Sequence, residues 1–252
     1  MKDSYFKEYY YLERRHWWFQ VRNKIIEERI EQLLTTKDKL KILNVGVATG
    51  ATSEMLSRFG EVISVEYDQA CYEFTKEYFK MPLLQGSILE LPFGNEEFDL
   101  VCAFDVIEHV EDDQKAVSEM KRVCKSTGYV CVTVPAYQWM WSHHDVINHH
   151  FRRYTMRSLR KVFDLTGQGN LVRNTYFNTF LFPAIAGFRL LSGLIPQRFV
   201  RRGAGSDSTI FEEKSFINRF FHWFFSLERP FLRFKMRFPF GVSAFLAWKV
   251  QK

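Results

Sequence analysis

The segment LKILNVGVATGATSEML, residues 40–56, limits the folds open to this chain more than any other part of the sequence. Its apolar start predicts a strand, and Gly46 and Gly50 bracket a tight turn that leads into a helix. Glycine tolerates backbone conformations that other residues rarely adopt, and it lets a ligand approach the main chain closely. The segment therefore predicts a strand, a ligand-binding turn and a helix in succession.

The alternation of strands and helices continues along the chain. Further strands are predicted at residues 61–66, 82–86, 98–104, 129–134, 171–177 and 241–250. Strands that alternate with helices are typical of a parallel sheet covered by helices on both faces. We therefore expect an α/β fold with a Rossmann-like, mostly parallel seven-stranded sheet, whose last strand runs antiparallel at the edge.

The 252 residues suit a single domain with two additions to its core. We predict an N-terminal helical lid over residues 1–36, with one helix at 5–34. The core covers residues 37–177 and 241–252. An amphipathic helical insertion fills residues 178–240, between the last two strands. Five apolar residues of the insertion recur at helical spacing: Phe216, Phe220, Phe224, Leu227 and Phe231.

Charge is divided unevenly between the two parts of the chain. Residues 1–150 contain 17 Lys and Arg against 24 Asp and Glu, a net charge of −7, whereas residues 151–252 contain 18 against 5, a net charge of +13. A basic part with Phe-rich helical stripes suits an anionic membrane surface better than nucleic acid. The alternative is that the stripes cover the sheet or a partner copy. The longest charge-free stretch of this part, residues 174–188, is shorter than the roughly 20 residues that a spanning helix needs.

The start of the chain and its cysteines bear on the compartment. The first thirty residues lack the pattern of a signal peptide, and the four cysteines show no CxxC spacing. We expect reduced thiols and a cytoplasmic protein that is peripheral on the inner face of the membrane.

Glu66 stands at the end of the second predicted strand, twenty residues after Gly46. A carboxylate at this place can accept hydrogen bonds from both ribose hydroxyls of an adenosine. A dinucleotide-binding GxGxxG would also need glycine at positions 48 and 51, where this chain has Ala48 and Ala51. The spacing favours a nucleoside without a pyrophosphate and leaves a nicotinamide-dependent oxidoreductase as the second interpretation.

Five motifs, NVGVATG, VEYD, QGSILELPF, FDLVCAFDVIEHV and KSTGYVCVTVP, resemble the ordered motifs of class I S-adenosylmethionine-dependent methyltransferases. The chain is similar to the branch of small-molecule and lipid methylases that includes the quinone C-methylases. The resemblance implies methyl transfer from S-adenosyl-L-methionine to a small, apolar or lipid-linked acceptor at the cytoplasmic membrane face, with S-adenosyl-L-homocysteine as the product. It also implies the residues that bind the cofactor: Gly46, Ala48, Gly50, Glu66, Tyr67, Ser87, Ile88 and Asp105.

Methyl transfer requires an aligned acceptor, and a histidine or carboxylate can remove the acceptor's proton. The candidates for this catalytic step are His109, His144, Asp145 and His149. The candidates for acceptor binding are Trp18, Trp141, His150 and Arg153. The alternative is an ordered loop whose histidines bond backbone carbonyls. No metal is predicted, because the histidine spacing in the loop at 141–150 matches no zinc template.

A third interpretation is a membrane-associated binding protein with a relic nucleoside pocket. Asn44, Ala48 and Ser87 point to it, because each departs from the residue usual in the family. The sequence leaves open the acceptor, the acceptor atom and the oligomeric state.

Overall fold

The computed structural model describes residues 2–34, 38–192 and 216–252. The helices are α1 Lys2–Arg15, α2 Trp17–Glu31, α3 Ala51–Leu56, α4 Gln69–Tyr78, α5 Asp113–Val123, α6 His143–Ile147, α7 Met156–Leu165, α8 Phe182–Ser192, α9 Phe216–Ser226 and α10 Glu228–Arg233. The strands are β1 Leu40–Val45, β2 Gly60–Glu66, β3 Leu83–Gln85, β4 Phe98–Phe104, β5 Cys124–Pro135, β6 Asn170–Phe177 and β7 Ser243–Lys249. The central part of the predicted insertion, residues 193–215, lies outside the described residues.

All seven strands form one sheet in the order β3-β2-β1-β4-β5-β7-β6. Strands β1 to β5 pair in parallel, and β7 runs antiparallel to both β5 and β6. The predicted α/β class, the mostly parallel sheet and the antiparallel last strand are confirmed. The predicted edge position of the last strand is wrong, because nearly all of β7 is buried and suits an interior strand, whereas the first half of β6 is partly exposed and forms the edge.

Helices cover both faces of the sheet and create two apolar cores. Helices α5 and α7 enclose one core, in which Met120 and Phe163 pack with Trp248. Helices α2, α3, α9 and α10 enclose the other core, which includes Ile26 and Phe225. Burial of side chains of this size contributes roughly 1.5–3 kcal/mol each, so both helical layers hold the sheet firmly.

The N-terminal region forms two helices, and the prediction of one helix over residues 5–34 is wrong. His16 separates them with an extended backbone (ψ 136°), and its ring Nδ1 accepts a hydrogen bond from the Trp18 backbone N–H at 3.3 Å. Burial lowers the pKa of His16 to about 4, so the ring is neutral and can serve as the N-terminal cap of α2.

The insertion packs on α2 through α9 and α10. Trp17 stacks on Phe221 with ring centroids 5.3 Å apart, and Arg229 forms an ion pair with Glu28 at 2.6 Å. The predicted stripe from Phe216 to Phe231 is not one helix, because α9 ends at Ser226 and α10 begins at Glu228. Of the described helices, none is sufficiently long and apolar to cross a membrane.

Candidate active site

The turn after β1 has the special backbone that its glycines predict. Gly46, Ala48 and Gly50 all have positive φ, at 69°, 47° and 89°. A Cβ atom at Gly46 would lie 2.5 Å from a methyl group of Val106, and one at Gly50 would lie 2.7 Å from the Phe79 ring. Both glycines are therefore required by sterics as well as by conformation.

The carboxylate of Glu66 closes this turn from the end of β2. Its Oε2 accepts a hydrogen bond from the Ala48 N–H at 2.9 Å, and its Oε1 accepts from the Tyr67 and Asp68 N–H groups at 3.0 Å each. Glu66 is 8% exposed. Burial raises the pKa of Glu66, although the three N–H groups oppose this rise. The structure thus brings together the two halves of the predicted nucleoside site.

Asn44, one of the three departures from the family pattern, stabilises the turn from below. Its buried Nδ2 donates to the hydroxyl oxygens of Thr52 and Ser53, both at 2.8 Å. An asparagine at this position therefore fastens β1 to the first turn of α3, which is a structural reason for the departure.

The other predicted cofactor residues lie at the same edge of the sheet. Tyr67 follows β2 and is 74% exposed. Ser87 and Ile88 follow β3, which pairs with β2, and Gly86 N donates to the Glu66 carbonyl at 3.0 Å. Ile88 is buried, whereas Ser87 keeps its side chain half-buried and accepts a hydrogen bond from the Leu89 N–H at 3.2 Å.

Asp105 follows β4 and forms an ion pair with Arg22 of α2. From the sequence, Arg22 has no assigned role beyond its place in the predicted N-terminal lid. Nε and Nη2 of Arg22 donate to Oδ2 of Asp105 at 3.0 and 2.6 Å, and Thr133 donates to Oδ1 of Asp105 at 3.2 Å. The Arg22 side chain is 4% exposed and lies over the Trp18 ring at 5.5 Å. No sequence signal links Arg22 to Asp105, because the chain separates them by 83 residues.

Helix α1 crosses the glycine turn. Thr49 donates to the buried Glu13 carboxylate through its hydroxyl, and its carbonyl accepts from Arg14 Nη2 at 3.1 Å. Arg14 also forms an ion pair with Glu54 at 2.5 Å. Burial raises the pKa of Glu13 to about 7 despite its hydrogen bond to Thr49. Helix α1 therefore contacts the glycine turn and the start of α3 directly.

The loop after β5 is organised by a buried ion pair. Asp145 is fully buried and accepts hydrogen bonds from Arg153 Nε at 2.7 Å and Nη2 at 3.0 Å. The backbone N–H of Ser142 donates to it at 2.7 Å, and His150 Nδ1 lies 2.9 Å from its Oδ1. Burial alone would raise the pKa of Asp145, but His150 and Arg153 hold it far below its usual range. Asp145 is thus suited to holding Arg153 and His150 in place.

The remaining loop candidates have different surroundings. His144 is half-buried, and its Nε2 lies 3.1 Å from the Asn148 side-chain amide. His149 is exposed and has a positive φ of 55°. Trp141 is half-buried and follows the 3₁₀ turn Gln138–Met140. The alternative of a purely backbone-bonded histidine loop does not describe His150, which contacts a carboxylate.

His109 ends the 3₁₀ turn Ile107–His109, immediately after Glu108. Its ring is perpendicular to that of His150, with centroids 4.5 Å apart. Glu108, His109 and His150 each offer one ligand atom, and these atoms lie within 4.8 Å of one another. This cluster is the group of described residues that could hold a metal ion.

Comparison with known proteins identifies the class to which this architecture belongs. A family model described as "Methyltransferase domain" matches residues 43–132, which contain the glycine turn, Glu66 and Asp105. A solved structure described as a "putative methyltransferase" from Bacillus halodurans superposes with a TM-score of 0.59 at 16% identity, over 90% of this chain and 99% of that chain. Residues 43–132 therefore match a methyltransferase domain, and the chain has the fold of solved methyltransferase structures, as the sequence motifs predicted.

Two relatives with assigned names are similar to about half of this chain. A Mycobacterium tuberculosis protein named as a probable S-adenosylmethionine-dependent methyltransferase is 28% identical over 126 residues, which are 49% of this chain and 44% of the relative. A demethylmenaquinone methyltransferase of Staphylococcus carnosus is 29% identical over 130 residues, 46% of this chain and 54% of the relative. The chain spans about half the length of these relatives.

Proposed function

We propose that this chain binds S-adenosyl-L-methionine at the carboxyl edge of β1, β2 and β4 and transfers its methyl group to a small acceptor. The position of Glu66 carries the proposal. Its carboxylate is buried at the end of β2 and borders the turn in which Gly46, Ala48 and Gly50 have positive φ angles. The carboxylate offers about four lone pairs. Oε2 can therefore accept one ribose hydroxyl beside its contact to Ala48, and Oε1 can accept the other in place of one of its two backbone N–H groups.

The residues around the turn fit the remaining parts of the cofactor. The methionine moiety carries one ammonium and one carboxylate group. Asp105 offers a negative charge for the ammonium, and Arg22 offers a positive charge for the carboxylate. Ser87 and Ile88 would lie beside the adenine. Gly46, Ala48 and Gly50 would leave room for the part of the cofactor between the adenine and the methionine groups. The bound cofactor supplies a methyl group activated by its sulfonium. The protein then has to align the acceptor and exclude water.

The acceptor would lie between the N-terminal lid and the loop after β5. Trp18 and Trp141 would form apolar walls, and Arg153 with Asp145 would fix the loop. His109, His144 and His149 are the proposed groups for proton removal, with His150 beside them. Of these, His109 is neutral at physiological pH, because partial desolvation and then the neighbouring His150 lower its pKa to about 4.

Calorimetry with S-adenosyl-L-homocysteine tests the proposal without knowledge of the acceptor. We expect micromolar binding of S-adenosyl-L-homocysteine and none of NADH, because Ala48 and Ala51 break the dinucleotide pattern. Binding of NADH alone would favour an oxidoreductase, and binding of neither ligand by a folded protein would favour a relic pocket.

We further propose that the acceptor is apolar or lipid-linked and is presented at an anionic membrane surface. Aromatic side chains are exposed along α9 and after α10: Phe216 at 81%, Trp223 at 57% and Phe234 at 83%. The exposed cations Arg219 and Lys235 lie among them in the sequence. Amphipathic surfaces of this composition bind anionic lipids through apolar burial and electrostatic attraction.

An apolar pocket in the insertion also supports this kind of acceptor. It has a volume of about 390 Å³ and opens at the end of β6, on the carboxyl edge of the sheet. Its lining residues are Thr179, Phe180, Pro183, Phe224, Phe238, Pro239 and Phe240. A pocket of this size suits a hydrocarbon chain.

Vesicle sedimentation tests the membrane proposal. We expect the protein to sediment at low salt with vesicles that contain phosphatidylglycerol but not with vesicles of phosphatidylcholine alone. The double variant Phe216→Ser, Trp223→Ser should bind about tenfold more weakly, because it loses apolar area that would enter the interface. Leu165→Ser is the matched control, since Leu165 is 59% exposed on α7, on the opposite face of the sheet. An equal loss in this control would contradict the proposed surface.

A further inference from the structure

Glu108 and His109 leave β4 at the carboxyl edge of the sheet, and His150 reaches the same point from the loop after β5. The backbone joins the two segments, because the Phe151 N–H donates to the Glu108 carbonyl at 2.7 Å. One ligand atom from each of the three residues lies within 4.8 Å of the other two. The chain thus brings one oxygen and two nitrogen ligands together from distant parts of its sequence.

The buried carboxyl group of Glu108 lacks a stabilising partner in the part of the chain that the structure describes. Its side chain is fully buried, and neither carboxylate oxygen has a hydrogen-bond partner in any other described residue. An unpaired buried carboxyl group is strongly unfavourable, and native proteins pair such groups or use them to bind an ion. Arg22 and Arg153 act on Glu108 as neighbouring charges but form their ion pairs with Asp105 and Asp145. A cation in contact with Glu108 would provide the missing partner.

His150 is already oriented as a metal ligand would be. Asp145 lies 2.9 Å from its Nδ1, which leaves Nε2 as the nitrogen that is able to bind an ion. Asp145 in turn is fixed by Arg153 in a buried pair. Carboxylate–histidine pairs of this kind orient the ring and increase its basicity in many metal sites.

We propose that Glu108, His109 and His150 bind one divalent transition-metal ion. With the ion bound, His109 is a metal ligand, and proton removal is left to His144 or His149. Two imidazoles and one carboxylate are a ligand set that suits Zn²⁺, Mn²⁺, Fe²⁺ or Co²⁺, whereas Mg²⁺ and Ca²⁺ prefer oxygen ligands only. Sequence spacing alone indicated no metal, because the ligands come from two segments and follow no single zinc motif.

The position of the ion suggests what it would bind. Three protein ligands leave at least one coordination position for water or for a ligand oxygen. Asp105, the proposed partner of the methionine ammonium, lies only three residues before Glu108 and acts electrostatically on both Glu108 and His109. The ion would therefore bind a hydroxyl oxygen of the acceptor next to the methyl donor and lower the pKa of that hydroxyl. This last step rests on the proposed methyltransferase function, whereas binding of the ion does not.

Titration of the chelator-treated full chain tests the site directly. We expect calorimetry to show one equivalent of Zn²⁺ and expect Co²⁺ to give visible absorption bands of a site with nitrogen and oxygen ligands. Glu108→Gln and His150→Ala should each weaken Zn²⁺ binding at least 100-fold, and Asp145→Asn about 10-fold to 100-fold through the loss of its support for His150. His143→Ala is the matched control, because His143 is exposed in the same loop and outside the cluster.

Thermal unfolding of each variant in the presence of chelator confirms that it folds. The proposal is wrong if the folded wild type binds no ion, or if Glu108→Gln and His150→Ala bind Zn²⁺ as the wild type does. Calorimetry with S-adenosyl-L-homocysteine on the same metal-free samples keeps the two proposals separate. Binding of the nucleoside without the metal would overturn only the metal site, and binding of the metal without the nucleoside would overturn only the proposed function.

Discussion

Replacement of Glu66 by alanine is expected to abolish measurable binding of S-adenosyl-L-homocysteine. A hydrogen bond to a charged group contributes about 1.5–3 kcal/mol, and the proposed ribose contacts number two, so the affinity should fall at least 100-fold. The variant also releases the backbone N–H groups of Ala48, Tyr67 and Asp68, which Glu66 now holds. The loss of the carboxylate would thus remove ligand contacts and loosen the turn together.

Calorimetry and thermal unfolding measure this effect independently. A ligand at 100 times its dissociation constant stabilises the native state by about 2.7 kcal/mol, and this stabilisation should disappear in Glu66→Ala. Glu61→Ala is the control, because Glu61 is exposed near the start of the same strand. The proposed ribose contact would be refuted by a folded Glu66→Ala protein whose affinity stays within about threefold of the wild type, since loss of even one such bond exceeds that factor.

The geometry around the glycine turn, where we propose that the cofactor binds, could be predicted because its sequence signals are local. The strand, the glycine turn and the helix follow one another within residues 40–56, and Glu66 ends the next strand. Parallel strands present their carboxyl ends at one edge, so the meeting of Glu66 with the turn followed from the order of the elements. The start of α2 could not be predicted in this way. The break between α1 and α2 depends on the buried ring of His16, which caps α2.

Contacts between distant segments of the chain could not be predicted to the same depth, because they form only in the folded protein. Arg22 meets Asp105 from another helix, and Glu108 meets His150 from another loop. Hydrophobic periodicity carries no information about such pairs. The prediction that the last strand lies at the edge was wrong for a related reason. Strand β7 is apolar on both faces, and this pattern alone does not tell which two strands it lies between.

The second large effect concerns the buried pair of Asp145 and Arg153. Asp145→Ala is expected to lower the free energy of unfolding by about 3–5 kcal/mol, because it leaves a guanidinium that is 3% exposed without its carboxylate. For a domain of this size the unfolding midpoint should fall by about 10 °C. Calorimetric unfolding in buffer with chelator measures the change without any contribution from a metal ion.

Two further variants separate the buried charge from other causes. Asp164→Ala removes an exposed partner of Arg160 on α7, and it should change stability by less than about 0.5 kcal/mol. The double variant Asp145→Leu, Arg153→Leu should recover much of the lost stability, because it removes both buried charges and restores apolar packing. Equal stability of Asp145→Ala and Asp164→Ala would contradict the prediction. The ion pair of Asp145 and Arg153 would then not be what stabilises the loop and orients His150.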